Sequence, residues 1–208
     1  GLGDVYKRQI LISPTIREPH KSQFEYTIDK KWVSFLSNIF GDIELVLPEQ
    51  YKKKIDLIIL CGGNDLVHLK ASEKDLIRYR QDKKLYEYAI KENIPLIGIC
   101  YGAQFIAEML DCKLGKIKKH VGDHFIQATT NELNLFEKKK KIIVNSFHDY
   151  GIIESSKKII PLALAADNTI ELFKATNLNF LGIMWHPERF NKIKKIDKEI
   201  LLNFCNLI

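Results

Sequence analysis

The sequence has few cysteines, and they are scattered. Cys61, Cys100, Cys112 and Cys205 form no C-x-x-C pair, which argues against a thiolate zinc site and a disulfide framework and suits a reducing compartment. Long hydrophobic runs are also missing. No apolar stretch approaches the roughly 20 residues that cross a bilayer, and the run Ile10 to Ile12 is too short for a signal-peptide core. A cytoplasmic chain with no membrane partner is expected. There is no internal repeat, no linker and no G-x-G-x-x-G fingerprint, so a dinucleotide site is poorly supported. The net charge is +6 and lysine far outnumbers arginine, with runs at Lys52 to Lys54 and Lys138 to Lys141. Those runs lack interleaved aromatics or a nucleic-acid module. They read as solvated faces, with a positive field able to steer a small anionic substrate but no nucleic-acid partner.

What is present is the material of one α/β domain. The 208 residues suffice for a substantial core. Gly1 to Gln9 reads as an extension foreign to the fold, so a single domain is expected over residues 10–208, with a first strand from Ile10 to Ser13 and a polar loop from Arg17 to Gln23. Ile28, Trp32, Phe35, Leu36 and Ile39 recur at helical spacing and end at Gly41. Glu44 to Leu47 and Ile55 to Cys61 read as strands, and Ser72 caps a long charged helix reaching Asn93. After Leu110 the pattern changes to short strands, over Val121 to Thr129, Lys141 to Asn145, Ile159 to Ala166, Thr169 to Ala175 and Phe180 to Trp185, before a last helix from Ile193. The fold class expected is α/β: a flavodoxin-like open mixed sheet flanked by helices, with a strand-rich C-terminal half.

The chemistry concentrates at Ile94 to Leu110. A continuous apolar strand, Ile94 to Ile99, meets a helix from Ala103 through Gly98-Ile99-Cys100-Tyr101-Gly102. This is the spacing of a strand-to-helix elbow with cysteine in the nucleophile slot. Side chains at the two glycines would block the close approach of helix and strand. The helix N-terminus favours thiolate at Cys100. Taken alone, the motif is equally compatible with an ordinary turn holding a buried cysteine. Gly62-Gly63-Asn64-Asp65 follows another apolar strand, at the edge where α/β sheets gather ligands, although a plain loop would look the same. His186 ends the strand Gly182 to Trp185, and Glu188 follows at a distance suited to orient the ring. His148, after Lys141 to Val144, faces the same edge and is the weaker candidate base. His20 and His68 lie in loops. His120 and His124 stand at the start of a strand with no acidic partner placed, so no metal is expected.

In this order G-G-N-D, G-I-C-Y-G-A-Q, V-N-S-F-H and G-I-M-W-H-P-E resemble class I glutamine amidotransferase domains, within them the γ-glutamyl-γ-aminobutyrate hydrolase family. The resemblance covers nearly the whole chain from Ile10. It implies Cys100 as nucleophile with His186 and Glu188 completing a triad, and an oxyanion hole from the backbone N–H groups of Gly63 and Tyr101. It also implies contacts to a γ-glutamyl group from Gly62, Asn64, Gln104, Asn145, Ser146, Phe147 and His148. No cofactor is implied. The activity implied is hydrolysis of a γ-glutamyl amide, with a nucleoside diphosphoramidate as the favoured leaving group, in capsular phosphoramidate synthesis. The alternatives are a glutaminase that delivers ammonia to a partner synthetase and a hydrolase of γ-glutamyl-γ-aminobutyrate. Monomer and homodimer are both compatible. Two departures bear on the leaving group: Tyr101 stands where family hydrolases carry Arg and amidotransferases Leu, and Asp111 to Lys116 replaces a glycine-rich G-G-T-L segment. A redox-sensing flavodoxin-like protein would need no H-x-E after a late strand.

Overall fold

The computed structural model describes residues 7–50, 54–68, 72–117, 120–130 and 141–206. The lysine runs at 52–54 and 138–141 fall mostly outside them. Among the described residues, thirteen strands and four α-helices are formed. In chain order these are β1 (Arg8–Ser13), β2 (Thr15–His20), β3 (Gln23–Thr27), α1 (Lys31–Phe40), β4 (Ile43–Val46), β5 (Leu57–Leu60), α2 (Glu73–Glu92), β6 (Leu96–Ile99) and α3 (Tyr101–Met109). The second half adds β7 (Lys113–Lys116), β8 (His124–Ala128), β9 (Lys141–Val144), β10 (Tyr150–Glu154), β11 (Ile159–Ala165), β12 (Ile170–Ala175), β13 (Phe180–Ile183) and α4 (Lys195–Asn206).

Nine strands make one sheet in the order β4-β1-β5-β6-β13-β12-β11-β8-β9. From β4 to β13 all pairings are parallel, and from β13 onward they are antiparallel. The parallel part is buried on both faces, which is why β5 (LIIL) and β6 (LIGI) are apolar throughout. Successive side chains serve opposite layers. Leu11, Ile58 and Leu60 pack with Leu85, Tyr86, Phe105 and Ile106 of α2 and α3, whereas Ile10, Ile12, Leu57 and Ile59 pack with Trp32, Phe35, Ile200 and Phe204 of α1 and α4.

Three features differ from expectation. Arg8 and Gln9 belong to β1, paired with Ile43 and Glu44 of β4, and the Gln9 side chain donates to Glu44. The segment expected as a polar loop is the antiparallel hairpin β2–β3; its mostly exposed charged residues hide the strand period. Residues 113–116 form β7, which pairs with β10 as a separate two-stranded ribbon.

Candidate active site

Parallel pairing of β13 with β6 sets Ile183 opposite Ile99. The residues just beyond these strands, Cys100 and His186, therefore emerge at the same C-terminal edge, beside the Cys61-Gly62-Gly63 end of β5. Cys100 adopts φ 52°, a left-handed conformation unusual for a side-chain-bearing residue. Its N–H donates to Ile183 O at 2.8 Å. The elbow is possible only because Gly98 and Gly102 touch: a Cβ on Gly98 would stand 2.4 Å from the Gly102 carbonyl carbon, and one on Gly102 would stand 2.1 Å from Leu60 O. Such strain is characteristic of functional sites.

Cys100 and His186 flank Gly62, where an added Cβ would stand 3.3 Å from both Cys100 Cβ and His186 Nε2, and His186 Nδ1–H donates to Glu188 Oε1 at 2.7 Å. Cys100, His186 and Glu188 are all buried. Burial alone would lower the pKa of His186, but the hydrogen bonds and charges of Cys100 and Glu188 outweigh it and raise the pKa from 6.5 to about 9. Asn145 grips the backbone of His186 from both sides, its Oδ1 accepting from His186 N and its Nδ2 donating to His186 O, each at 2.9 Å. Phe147 lies edge-on to the His186 ring at 5.6 Å.

The Gly62-Gly63 turn is clamped. Thr15 Oγ1 donates to Gly62 O at 2.8 Å. Gly63 has φ +104°, and a Cβ there would collide with Thr15 Oγ1 at 2.6 Å. Asn64 bonds both backbone groups of Ile16 and donates to Asp75, so its amide braces the loop. Asp75 also closes a capping box with Ser72 at the start of α2.

Of the other expected contacts, Gln104 lines a cavity of about 310 Å³ together with Cys100, Tyr101 and Phe147, and its Nε2 donates to Tyr150 O at 2.8 Å. Ser146 is fully buried and Phe147 is 53% exposed. The weaker candidate base, His148, is turned elsewhere: its Nδ1 faces Tyr150 O at 3.0 Å and its Nε2 faces Glu171. His120 and His124 do meet an acidic partner, because Glu171 on β12 reaches both, and their rings lie 4.8 Å apart. Sequence spacing places no carboxylate there because Glu171 arrives from a distant strand.

Sequence reasoning missed Arg78. It is fully buried on α2 and donates to Pro14 O, Cys61 O and Asp82 at 2.7, 2.7 and 2.8 Å. Its guanidinium also lies 4.9 Å from the centre of the Tyr101 ring. Arg78 thus ties the ends of β1 and β5 to the elbow. No local pattern marks a buried arginine in so charged a helix.

A nine-stranded mixed sheet, a cysteine elbow and a histidine–carboxylate pair at one strand edge define the class I glutamine amidotransferase-like fold. The Peptidase C26 family model matches residues 44–188, and the chain belongs to that family, which supports an amide-hydrolysing enzyme. It is 39% identical over 158 residues to the γ-glutamyl-CDP-amidate hydrolase of Campylobacter jejuni, covering 76% of this chain and 74% of that protein. It is 26% identical over 178 residues to a component of the glutamine-hydrolysing GMP synthase of Methanococcus aeolicus, covering 85% of this chain and 87% of that one. PurLQS from Thermotoga maritima superimposes with TM-score 0.74 at 18% identity, over 98% of this chain and 99% of that one, a likeness of fold. Among the described residues no helix is long and apolar enough to cross a membrane.

Proposed function

We propose that the protein is a cytoplasmic cysteine hydrolase of γ-glutamyl amides, with γ-glutamyl-CDP-amidate the favoured substrate and capsular phosphoramidate synthesis its setting. The observation that carries the reading is strained Cys100 set beside His186 at Gly62, with His186 in turn bonded to Glu188. The Cys100 sulfur, its proton resting on His186, attacks the γ-carbonyl carbon. The tetrahedral oxyanion sits against the N–H groups of Gly63 and Tyr101; the first N–H of a helix has no intrahelical partner to compete. His186 then gives its proton to the departing nitrogen as the C–N bond breaks, leaving a glutamyl thioester. Water enters, His186 takes one of its protons, and thioester cleavage releases glutamate and restores the thiol. The chemistry draws on no cofactor.

Two cavities meet at Gly63, His186 and Arg189, one of about 310 Å³ beside Cys100 and one of about 640 Å³ under the β2–β3 hairpin. The smaller suits the γ-glutamyl group, with Gln104 on its wall. The larger carries Arg17, Lys74 and Arg189, cations suited to a diphosphate, with Glu18, Glu25 and Asp29 as acceptors for hydroxyl or amino groups. The 39% identity to a γ-glutamyl-CDP-amidate hydrolase supports this assignment. The relationship to a GMP synthase component supports a second reading, a glutaminase that feeds ammonia to a partner synthetase.

The test is glutamate release from glutamine, γ-glutamyl-γ-aminobutyrate and a γ-glutamyl nucleoside phosphoramidate, with Cys100→Ala as control. Selective turnover of the phosphoramidate, abolished in the variant, is expected. Selective turnover of the aminobutyrate conjugate overturns the leaving group, and full activity of Cys100→Ala overturns the mechanism. Activity on glutamine that appears only with a synthetase would favour the second reading.

A further inference from the structure

Behind the candidate active site lies a cluster of three histidines and one carboxylate that the reaction does not use. His120 comes from the segment just before β8, His124 from the first position of β8, His148 from the connection between β9 and β10, and Glu171 from β12. Glu171 is fully buried, and His120 and His148 are 4% and 5% exposed. All three histidines point at one carboxylate oxygen. Glu171 Oε1 lies 3.0 Å from His120 Nδ1, 3.7 Å from His124 Nε2 and 3.7 Å from His148 Nε2.

The hydrogen bonding around this point is incomplete. His148 Nδ1 faces the carbonyl of Tyr150 at 3.0 Å, and a carbonyl can only accept, so Nδ1 carries the proton and Nε2 presents a lone pair to the cluster. Among the described residues His148 Nε2, both ring nitrogens of His124 and Glu171 Oε2 are buried without a hydrogen-bond partner. A second proton on His120 would satisfy its contact with Glu171 and nothing else. A cation at the centre would draw on the lone pairs of all four groups, and buried orphan polar groups are too costly to be common.

The spacing fits a small, tetrahedral cation. With metal–nitrogen bonds of about 2.0–2.1 Å, tetrahedral donor atoms stand roughly 3.3 Å apart, and the three contacts to Glu171 Oε1 bracket that value. The ligand atoms of His120, His148 and Glu171 lie within 4.8 Å of one another; His124 stands outside that group and joins it through Glu171 Oε1, 3.7 Å from its Nε2. An outer partner is also in place: His120 Nε2 contacts Asp167 Oδ2 at 2.9 Å. A carboxylate there fixes the ring so that Nδ1 faces inward, the arrangement that accompanies metal-bound histidines. Imidazole and carboxylate donors with no thiolate suit Zn²⁺, and four protein ligands with no open position are the mark of a structural site.

We infer that His120 Nδ1, His124 Nε2, His148 Nε2 and Glu171 Oε1 form a structural Zn²⁺ site. It joins β8 and β12 to the segment that runs from Asn145, which holds the backbone of His186, to Tyr150, which receives Gln104. The metal would brace the loop of the active site without touching substrate. Binding displaces any second proton on His120 to solvent.

The test uses the full-length protein purified without chelator. Elemental analysis is expected to find about one zinc per chain, as for a closed four-ligand site, both in the wild type and in Cys100→Ala. His120→Asn and Glu171→Gln are expected to lose it. Because either variant could fail to fold, the wild-type protein is also depleted of metal and titrated with Co²⁺. A saturating one-to-one rise of the intense visible bands of four-coordinate cobalt, without a thiolate-to-cobalt band in the near ultraviolet, is expected. Absence of co-purified metal together with no such cobalt spectrum overturns the site, as does zinc that is lost in Cys100→Ala.

Discussion

The contact between Glu188 and His186 gives the sharpest handle on the proposed chemistry. Glu188→Gln keeps the shape of the side chain and an acceptor for His186 Nδ1–H, bonded at 2.7 Å in the wild type, but removes the charge. The rise of the His186 pKa from 6.5 to about 9 corresponds to roughly 3 kcal/mol, and it is the net of burial against Cys100 and Glu188. A hydrogen bond to a charged group contributes about 1.5–3 kcal/mol, which is about one to two pH units. The upper limb of the pH profile of kcat/KM reports loss of the proton that His186 gives to the leaving nitrogen. It should stand near pH 9 in the wild type and fall to about 7–8 in the variant. Loss of the orienting charge should lower kcat by roughly a hundredfold or more. Histidine ¹³Cε1 NMR follows the same titration without turnover. The shift is also a stability statement: a histidine whose folded pKa is raised stabilises the fold fully below its unfolded pKa and loses that contribution as pH rises through about 9. The advantage of wild type over Glu188→Gln in urea should therefore shrink between neutral pH and about pH 10. A variant whose upper limb and NMR titration stay at the wild-type position would refute the reasoning.

Two further predictions follow from packing. A methyl added by Gly62→Ala would sit 2.7 Å from His186 Cε1 and 3.3 Å from Cys100 Cβ. It should separate the pair and cost roughly a hundredfold in kcat while leaving the urea midpoint nearly unchanged; a wild-type rate would show that the pair does not react in the geometry described. Arg78→Met removes the partner of buried Asp82 and should cost about 3–5 kcal/mol in equilibrium unfolding, whereas a cost below about 1 kcal/mol would mean that Arg78 is a passenger.

What could be read from the sequence was local or ordered along the chain. The elbow was legible because its glycines answer a steric demand between neighbouring residues. His186 and Glu188 were legible because a strand end followed two residues later by a carboxylate places both at one edge. The β2–β3 hairpin was not, since a mostly exposed charged strand carries no hydrophobic period. The histidine cluster was not either: the Glu171 contact to His120 spans 51 residues of sequence, and no spacing rule reaches across three strands. His148 shows the same limit in reverse. Its position after a strand suggested a base, and only the fold reveals that its Nδ1 faces Tyr150 O and its Nε2 faces Glu171 instead.

Tyr101 is the most instructive departure from the family pattern, because its identity after the nucleophile suggested an altered leaving-group pocket. Its side chain is 1% exposed, packed against Phe105 and the Arg78 guanidinium, so the proposed role at the oxyanion falls to its backbone N–H. The choice of Tyr is then a matter of how α2 is locked to the elbow. Its hydroxyl is buried without a hydrogen-bond partner among the described residues, and such a group costs about 1–3 kcal/mol. Tyr101→Phe should therefore melt no lower than wild type, and the ratio of kcat/KM between phosphoramidate and aminobutyrate substrates should stay the same. Leaving-group preference should instead follow the wall of the larger cavity: Arg17→Ala should lower kcat/KM for the phosphoramidate by about tenfold or more with little change for the aminobutyrate conjugate. If Tyr101→Phe altered that ratio and Arg17→Ala did not, the leaving group would have to lie against the elbow rather than under the hairpin.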